Sequence, residues 1–468
     1  MISIDALPDD VLLAIFDSYL HDVLNPERRT RAWQSLINVC RRWRSVVFGS
    51  PRRLDLRLFC TDTTRSRDRL DIWPALPLII QVNGYYSTRH LDNIVAALQC
   101  SDRVCYIDLV IFEILDWEIL LAAMQEPFPE LTNLELWCDD EVNKLVVVPD
   151  SFLGGFAPHL EALSLSCLPF PGLPKLLLSA THLVDLRLDD IPHSGYLSPD
   201  AMVATLSTLT NLKHLWLVFK SPESCPDLEI PRLPPPTRSV LPVLTYFNFK
   251  GVTEYMEDLV TDIDAPQLKM MWIHFFNDNV FDTPKLIRFI SCTPISSALQ
   301  NVHISLEGGS ARVSFRPQIY DHAELEVSII CEGLDWQLSS LEQVCTSCLP
   351  FLPTLGDLYI NEYAYSEPDW KGNFGNGPWL ELLRPFTSMK NLYLSEKIAL
   401  CIGPALQELV EGRATDVFPT LEIIFLEGLK SSGPVQESIG HFVAAQQAVC
   451  HRIAISGWAD PKREHIYW

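Results

Sequence analysis

His182 to Asp189, HLVDLRLD, sets Leu186 and Leu188 between the polar residues Asp185, Arg187 and Asp189. That is the two-residue period of a strand with one buried face. Leu183 adds an apolar anchor just ahead of the alternation. The same phrase, L-x-x-L-x-L with other apolar residues allowed, returns as Leu131-Leu134-Leu136, Leu160-Leu163-Leu165 and Leu212-Leu215-Leu217. It continues more loosely as Leu244-Phe247-Phe249, Leu268-Met271-Ile273, Leu299-Val302-Ile304 and Leu355-Leu358-Ile360, then Met389-Leu392-Leu394, Leu421-Ile424-Leu426 and Cys450-Ile453-Ile455. Val104-Ile107-Leu109 opens the series, and His322-Leu325-Val327 is its weakest member.

Successive starts are 23 to 34 residues apart, about 29 on average, at the upper end of the range for leucine-rich repeats. Segments between the phrases, such as DAMVATLSTLT (200–210) and WLELLRPFTSM (379–389), carry helical spacing. Each repeat then buries one strand face against one helix, and stacking makes a continuous core. The expected fold class is α/β, with a repeat domain over 101–468 and a linker and start of the array over 59–100. An ordinary α/β domain with scattered leucines is the plainer reading, and thirteen phrases at a bounded period argue against it. Two stretches break the rhythm. Pro222 to Pro242 holds seven prolines and is expected as an extended surface loop. Asn361 to Trp379 gathers Tyr363, Tyr365, Trp370, Phe374 and Trp379, either as partner contacts or as a merely packed loop.

At 468 residues the chain exceeds one ordinary core, and 48% hydrophobic content supplies ample material to fold. Its formal charge is −23 and unevenly spread. Residues 1–70 hold twelve of the 36 basic residues, all Arg, and nine of the 59 acidic ones, a net of +3 against −26 for the rest. A body that acidic repels phosphate backbones, so nucleic acid is not an expected partner. Neither is a membrane: the apolar window Val104 to Met124 is broken by Asp108, Glu113, Asp116 and Glu118. MISIDALPDD lacks the basic and apolar regions of a secretory signal. Thirteen cysteines without regular spacing, and no Asn-x-Ser/Thr sequon, point to the cytosol or nucleus.

Residues 1–58 read as a separate, all-helical domain. Leu7-Pro8-Asp9-Asp10 places Pro and two acids where a helix start favours them. Val11, Leu12, Ile15, Phe16, Tyr19 and Leu20 then form one wide apolar face. After Pro26, Ala32, Trp33, Leu36, Ile37, Val39, Cys40, Trp43, Val46 and Val47 follow helical spacing up to Gly49-Ser50-Pro51. So few short helices cannot bury all these side chains alone, so they cap the downstream domain or offer a face to another protein.

L-P-x-x-V-L-x-x-I-F-x-x-x-L, then L-x-x-V-C-R-x-W-R-x-x-V after a loop, resembles the F-box motif. Leu7, Pro8, Val11, Leu12, Ile15, Phe16, Leu20, Leu36, Val39, Cys40, Arg41, Trp43, Arg44 and Val47 carry the match. With SPRRLDLRL directly after, the segment looks most like F-box proteins of the fungal, basidiomycete-like type. Asp10 replaces the more usual Glu, and His21 to Arg31 is longer and more charged than the usual loop. The resemblance implies docking to the Skp-type adaptor of cullin–RING ubiquitin ligases through Leu7, Pro8, Val11, Leu12, Ile15, Phe16, Leu20, Val39, Cys40, Trp43 and Val47. The repeats resemble the irregular leucine-rich kind often found behind F-boxes, which implies a horseshoe-like solenoid. The implied function is substrate recognition, with the solenoid holding an unknown protein target. The alternative is an F-box-containing scaffold that degrades nothing.

Residues for catalysis, metals or cofactors are not expected. Cys345-Thr-Ser-Cys348 is a lone pair of cysteines, and Gly372, Gly375 and Gly377 have the wrong order for a dinucleotide fingerprint. Asp139-Asp140-Glu141 and Asp189-Asp190 follow expected strands and read as polar turns before they read as an acidic patch.

Overall fold

Pro8 precedes α1 (Asp9–His21), whose first turn carries Asp9 and Asp10 against the positive end of the helix dipole. α2 (Pro26–Ile37) and α3 (Arg41–Gly49) follow. The computed structural model describes residues 7–21, 26–63, 70, 73, 75–83, 91–112, 114–138, 146–224, 238–276, 283–295, 299–317, 323–331, 333–348, 355–362, 376–412, 418–429, 433–448 and 452–458. It divides into two compact units, one of Met1–Tyr196 with Thr208–Leu212, the other of Leu197–Ser207 with Lys213–Trp468.

In the first unit the helices are followed by six parallel strands: β1 (Leu58–Cys60), β2 (Leu78–Asn83), β3 (Val104–Ile111), β4 (Asn133–Cys138), β5 (Ala162–Ser166) and β6 (Asp185–Ile191). Parallel neighbours require crossover connections. α4 (Leu91–Leu98), α5 (Ile114–Ala123) and α6 (Leu173–Ser179) lie in three of them. The sheet thus starts at Leu58, the last residue of the expected helical domain, and β2 falls in the 59–100 stretch expected to hold a linker and the start of the array.

The second unit holds α7 (Pro199–Leu206), β7 (His214–Phe219), β9 (Tyr246–Gly251), α8 (Thr253–Thr261), β11 (Met270–Phe275), α9 (Pro284–Ser291), β12 (Asn301–Leu306), β13 (Ser310–Arg316), β14 (Glu324–Ile330) and α10 (Leu334–Gln343). β15 (Asp357–Glu362), α11 (Gly377–Leu383), β16 (Asn391–Leu394), α12 (Glu396–Gly412), β17 (Ile423–Glu427), α13 (Pro434–Ala448) and β18 (Ala454–Trp458) complete it. β8 (Ser239–Val240) and β10 (Ile263–Asp264) pair separately with each other.

Strand register explains the repeated phrase. Leu134 pairs with Leu163 and Leu163 with Leu186, while Leu136, Leu165 and Leu188 line up one step on. In the second unit Leu215, Phe247, Met271 and Leu325 form one row, and Leu217, Phe249, Ile273 and Val327 the next. All of these side chains are buried, so each row is an apolar ladder through the core. At Gly251 the rungs come so close that a β-carbon would lie 2.6 Å from the Phe249 ring and 3.0 Å from Phe219.

One region departs from sequential stacking. Within the second unit the strand order is β7-β9-β11-β14-β13-β12-β15-β16-β17-β18. After β11 the chain skips two places to β12, returns through antiparallel β13 and fills the vacancy with β14. It then crosses to β15 beside β12. The weak phrase at His322 is therefore a strand out of sequence order. β13 carries no phrase, yet Ala311, Val313 and Phe315 alternate inward and continue the apolar ladder.

The segments 225–237 and 363–375, which include most of the proline stretch and of the aromatic loop, lie outside the described residues. Trp379 is a buried residue of α11.

Candidate functional site

The three N-terminal helices are held by a small inner core. Leu12, Leu13, Phe16 and Leu20 of α1 are buried, as are Trp33, Leu36 and Ile37 of α2 and Val47 of α3. Phe16 and Trp43 lie 4.7 Å apart between ring centroids. The α2 side faces the strands: Trp33 Nε1 and Thr30 Oγ1 both donate to the Arg57 carbonyl, at 3.0 and 3.2 Å. Cys40 caps α3 by accepting from the Trp43 amide at 3.4 Å. Arg42 then reaches back to α1, with Nε donating to Asp9 Oδ1 at 2.9 Å and Nη2 donating to the Leu7 carbonyl. That clamp sets the Val39–Cys40 corner beside the Leu7–Pro8 corner.

What remains outside is apolar. Val11, Ile15 and Tyr19 recur every fourth residue along α1 and are 39%, 45% and 49% exposed, and Val39 is 59% exposed. Pro8 and Cys40 are exposed, and Leu7 and Trp43 half-buried. The structure therefore divides the eleven expected docking residues between two faces. Leu12, Phe16, Leu20 and Val47 cement the helices to one another, since an amphipathic helix needs an inner stripe before it can offer an outer one. Tyr19, absent from the expected docking set, completes the outer stripe, and its i+4 spacing from Ile15 was the available signal. Arg41, Arg44, Arg52 and Arg53 are exposed, whereas Arg42 is committed to Asp9 and Arg57 pairs with Asp55 at 2.9 Å.

A second candidate surface is the face of the strands opposite the apolar ladders. In the first unit it is mainly polar: Gln81 donates to Asp108 at 2.8 Å and Tyr106 to Glu135 at 3.1 Å. Burial pushes the Asp108 carboxyl above its usual range.

The second unit differs. His303, Tyr359, Tyr393 and Phe425 stack in a column with centroids 4.3, 4.1 and 4.4 Å apart. Trp458 packs edge-on against two of them, and its indole N–H donates to the Leu394 carbonyl at 3.2 Å. On β7, β9 and β11, Tyr246 lies 4.4 Å from Trp216 and 5.2 Å from Trp272. Between these aromatic tracts runs an ionic strip. Arg312 bridges Glu307 and Glu326 at 3.2 and 3.4 Å, and Arg316 meets Glu324 at 2.6 Å. His274 bonds to the Ser328 hydroxyl. Burial, reinforced by Arg312 and Lys250, lowers the His274 imidazole to a pKa of about 4, so it is neutral near pH 7. Burial pushes the Glu326 carboxyl up, and Arg312 opposes the shift.

Among the described residues no three His, Cys, Asp or Glu side chains are grouped to hold a metal ion, and no helix is long and apolar enough to cross a membrane. Cys345 is buried in the short turn Val344–Cys348. Asp189 and Asp190 lie inside β6 rather than in a turn after it; Asp189 pairs with Arg187, and Asp190 has a positive φ of 47°. Asp139, Asp140, Glu141, Gly372 and Gly375 lie outside the described residues, and Gly377 begins α11.

No family model matches the sequence, and no curated protein matches it. Among solved structures, the leucine-rich repeat-containing protein LegL7 from Legionella pneumophila is similar at 11% sequence identity with a TM-score of 0.28, over 83% of this chain and 97% of that one. Nothing about the activity or partners of the present chain follows from a likeness at that level.

Proposed function

We propose that this protein is a non-catalytic interaction subunit with two docking surfaces: the outer stripe of α1–α3 for a Skp-type adaptor, and the repeat body for a protein target. The reading rests on one observation above the others. Pro8, Val11, Ile15, Tyr19 and Val39 are left outside helices whose opposite side is fully packed. Exposed apolar side chains gathered on one face mark interaction sites. The F-box resemblance of residues 4–58, of the fungal type, names the adaptor, and the irregular leucine-rich pattern names the body as the target-holding part.

In this reading the protein contributes proximity. A target tethered near a ubiquitin-charged enzyme meets its thioester at high effective concentration, with no catalytic residue supplied by this chain. Such a subunit works in the cytosol or nucleus, and binds neither nucleic acid nor membrane.

Co-purification with the adaptor tests it. Ile15→Asp and Val39→Asp should each abolish recovery while leaving the melting temperature within a degree or two, because both side chains are outside the core. Full recovery with both variants removes the adaptor reading. Turnover of a bound target separates a ligase subunit from the alternative, an F-box-containing scaffold without a degradation role.

A further inference from the structure

The open face of β7, β9 and β11 carries groups that the packing of the sheet leaves unused. Register places Trp216, Asn248 and Trp272 in one row and Val218, Lys250 and His274 in the next. Tyr246 leans between the two indoles, so the first row is backed by an apolar wall. Asn248 Oδ1 and Trp272 Nε1 are covered and have no hydrogen-bond partner among the described residues. An unpaired buried donor or acceptor costs about 1–3 kcal/mol. Here one of each sits on directly paired residues of adjacent strands, whose backbones are roughly 5 Å apart.

Charge supplies an independent observation. Arg312 and Arg316 are matched by Glu307, Glu324 and Glu326. Lys250 instead lies over the Phe276 ring, 5.6 Å from its centroid, and forms no ion pair with a described residue. Within a chain of formal charge −23 it is a local cation available to an incoming carboxylate.

We propose that this face binds an extended peptide segment of a partner protein, with an apolar side chain against Trp216, Tyr246 and Trp272 and a carboxylate two residues later at Lys250. The proposal rests on the body being the target-holding part. An extended residue presents its N–H and C=O along the same edge, so it donates to Asn248 and accepts from Trp272. The Asn248 amide turns on a broad terminal torsion, so uncovering it costs little. Side chains on one side of an extended chain recur every second residue, the interval that separates Asn248 from Lys250 on β9.

The test pans a display library of random twelve-residue peptides against the full-length protein and measures the enriched peptides by fluorescence anisotropy. The expected consensus is a large apolar residue followed two positions later by Asp or Glu. Lys250→Glu should weaken binding at least tenfold, Lys250→Arg should retain it, and changing the peptide acid to Lys should restore binding to Lys250→Glu. Trp272→Phe keeps the wall but removes the N–H, and should weaken binding several-fold. No enrichment, a consensus without an acid, or binding indifferent to Lys250→Glu and Trp272→Phe overturns the proposal. Ile15→Asp should leave peptide affinity unchanged. If the unmodified protein fails to recover the adaptor while the peptide results hold, the ligase reading falls and the peptide site stands.

Discussion

The N-terminal helices and the strand repeats are written in similar material, and they treat it differently. Every core leucine of the regular phrases, from Leu131 to Leu217, is buried, whereas Val11, Ile15, Tyr19 and Val39 stay outside. A repeat is flanked by neighbours that cover both edges of its apolar row. A helical segment of about fifty residues has one core to fill and one flank, the α2 side, against the strands. Once Leu12, Phe16, Leu20, Trp33 and Val47 have filled that core, Val11, Ile15, Tyr19 and Val39 stay exposed among the described residues. The same kind of side chain is cement in one region and contact surface in the other.

The largest effect that can break this contrast is in the ladders. Leu186→Ala or Leu215→Ala should lower stability by about 2–5 kcal/mol, from lost burial plus the cavity left behind. Leu186→Asp should be worse, since it buries an unpaired charge. Val39→Ala should change stability by less than about 0.5 kcal/mol. Urea melts of the set decide it, and a Val39→Ala loss equal to the leucine losses would erase the distinction.

Gly251→Ala sharpens the account of the ladder. The added carbon meets Phe249 and Phe219, and overpacking there should cost about 1–3 kcal/mol by the same melts. A neutral result would mean those rings yield freely.

The ionic strip of the second unit adds a pH dependence that the ladders lack. The pKa of His274 is held near 4 when folded and lies at about 6.5 in the unfolded chain. Between those values the unfolded state binds more protons, so stability is complete above about pH 6.5 and declines as the pH falls toward 4. His274→Asn should remove about 1–2 kcal/mol of the loss measured between pH 7 and pH 5, a difference seen by comparing melts of the two proteins.

The smallest expected effect is on the opposite side of the strands. Arg187 is exposed and its pairing with Asp189 is at the surface, so Arg187→Ala should shift stability by less than about 0.5 kcal/mol. A shift as large as that of Leu186→Ala would reverse the strand register.

The sequence by itself marked β3 to β7, β9, β11, β12 and β14 to β18, because alternation at a spacing of two records which side of each is buried, whereas β1, β2 and β13 carry no phrase. Twelve of the phrases fall on sheet strands in chain order, and their apolar positions line up across parallel neighbours. It also marked the N-terminal segment as helical with more apolar surface than it can use. The spatial exchange of β12 and β14 around β13 was decided by tertiary pairing. Alternation identifies the inner face of a strand but carries no record of which neighbour it joins or in which direction, so Ala311, Val313 and Phe315 fit an antiparallel rung as readily as a parallel one. The division of the docking residues was likewise settled by packing. The stripes Leu12-Phe16-Leu20 and Val11-Ile15-Tyr19 have the same i, i+4 spacing, and only contact with Trp43 and the rest of α2 and α3 chose which of the two became the core.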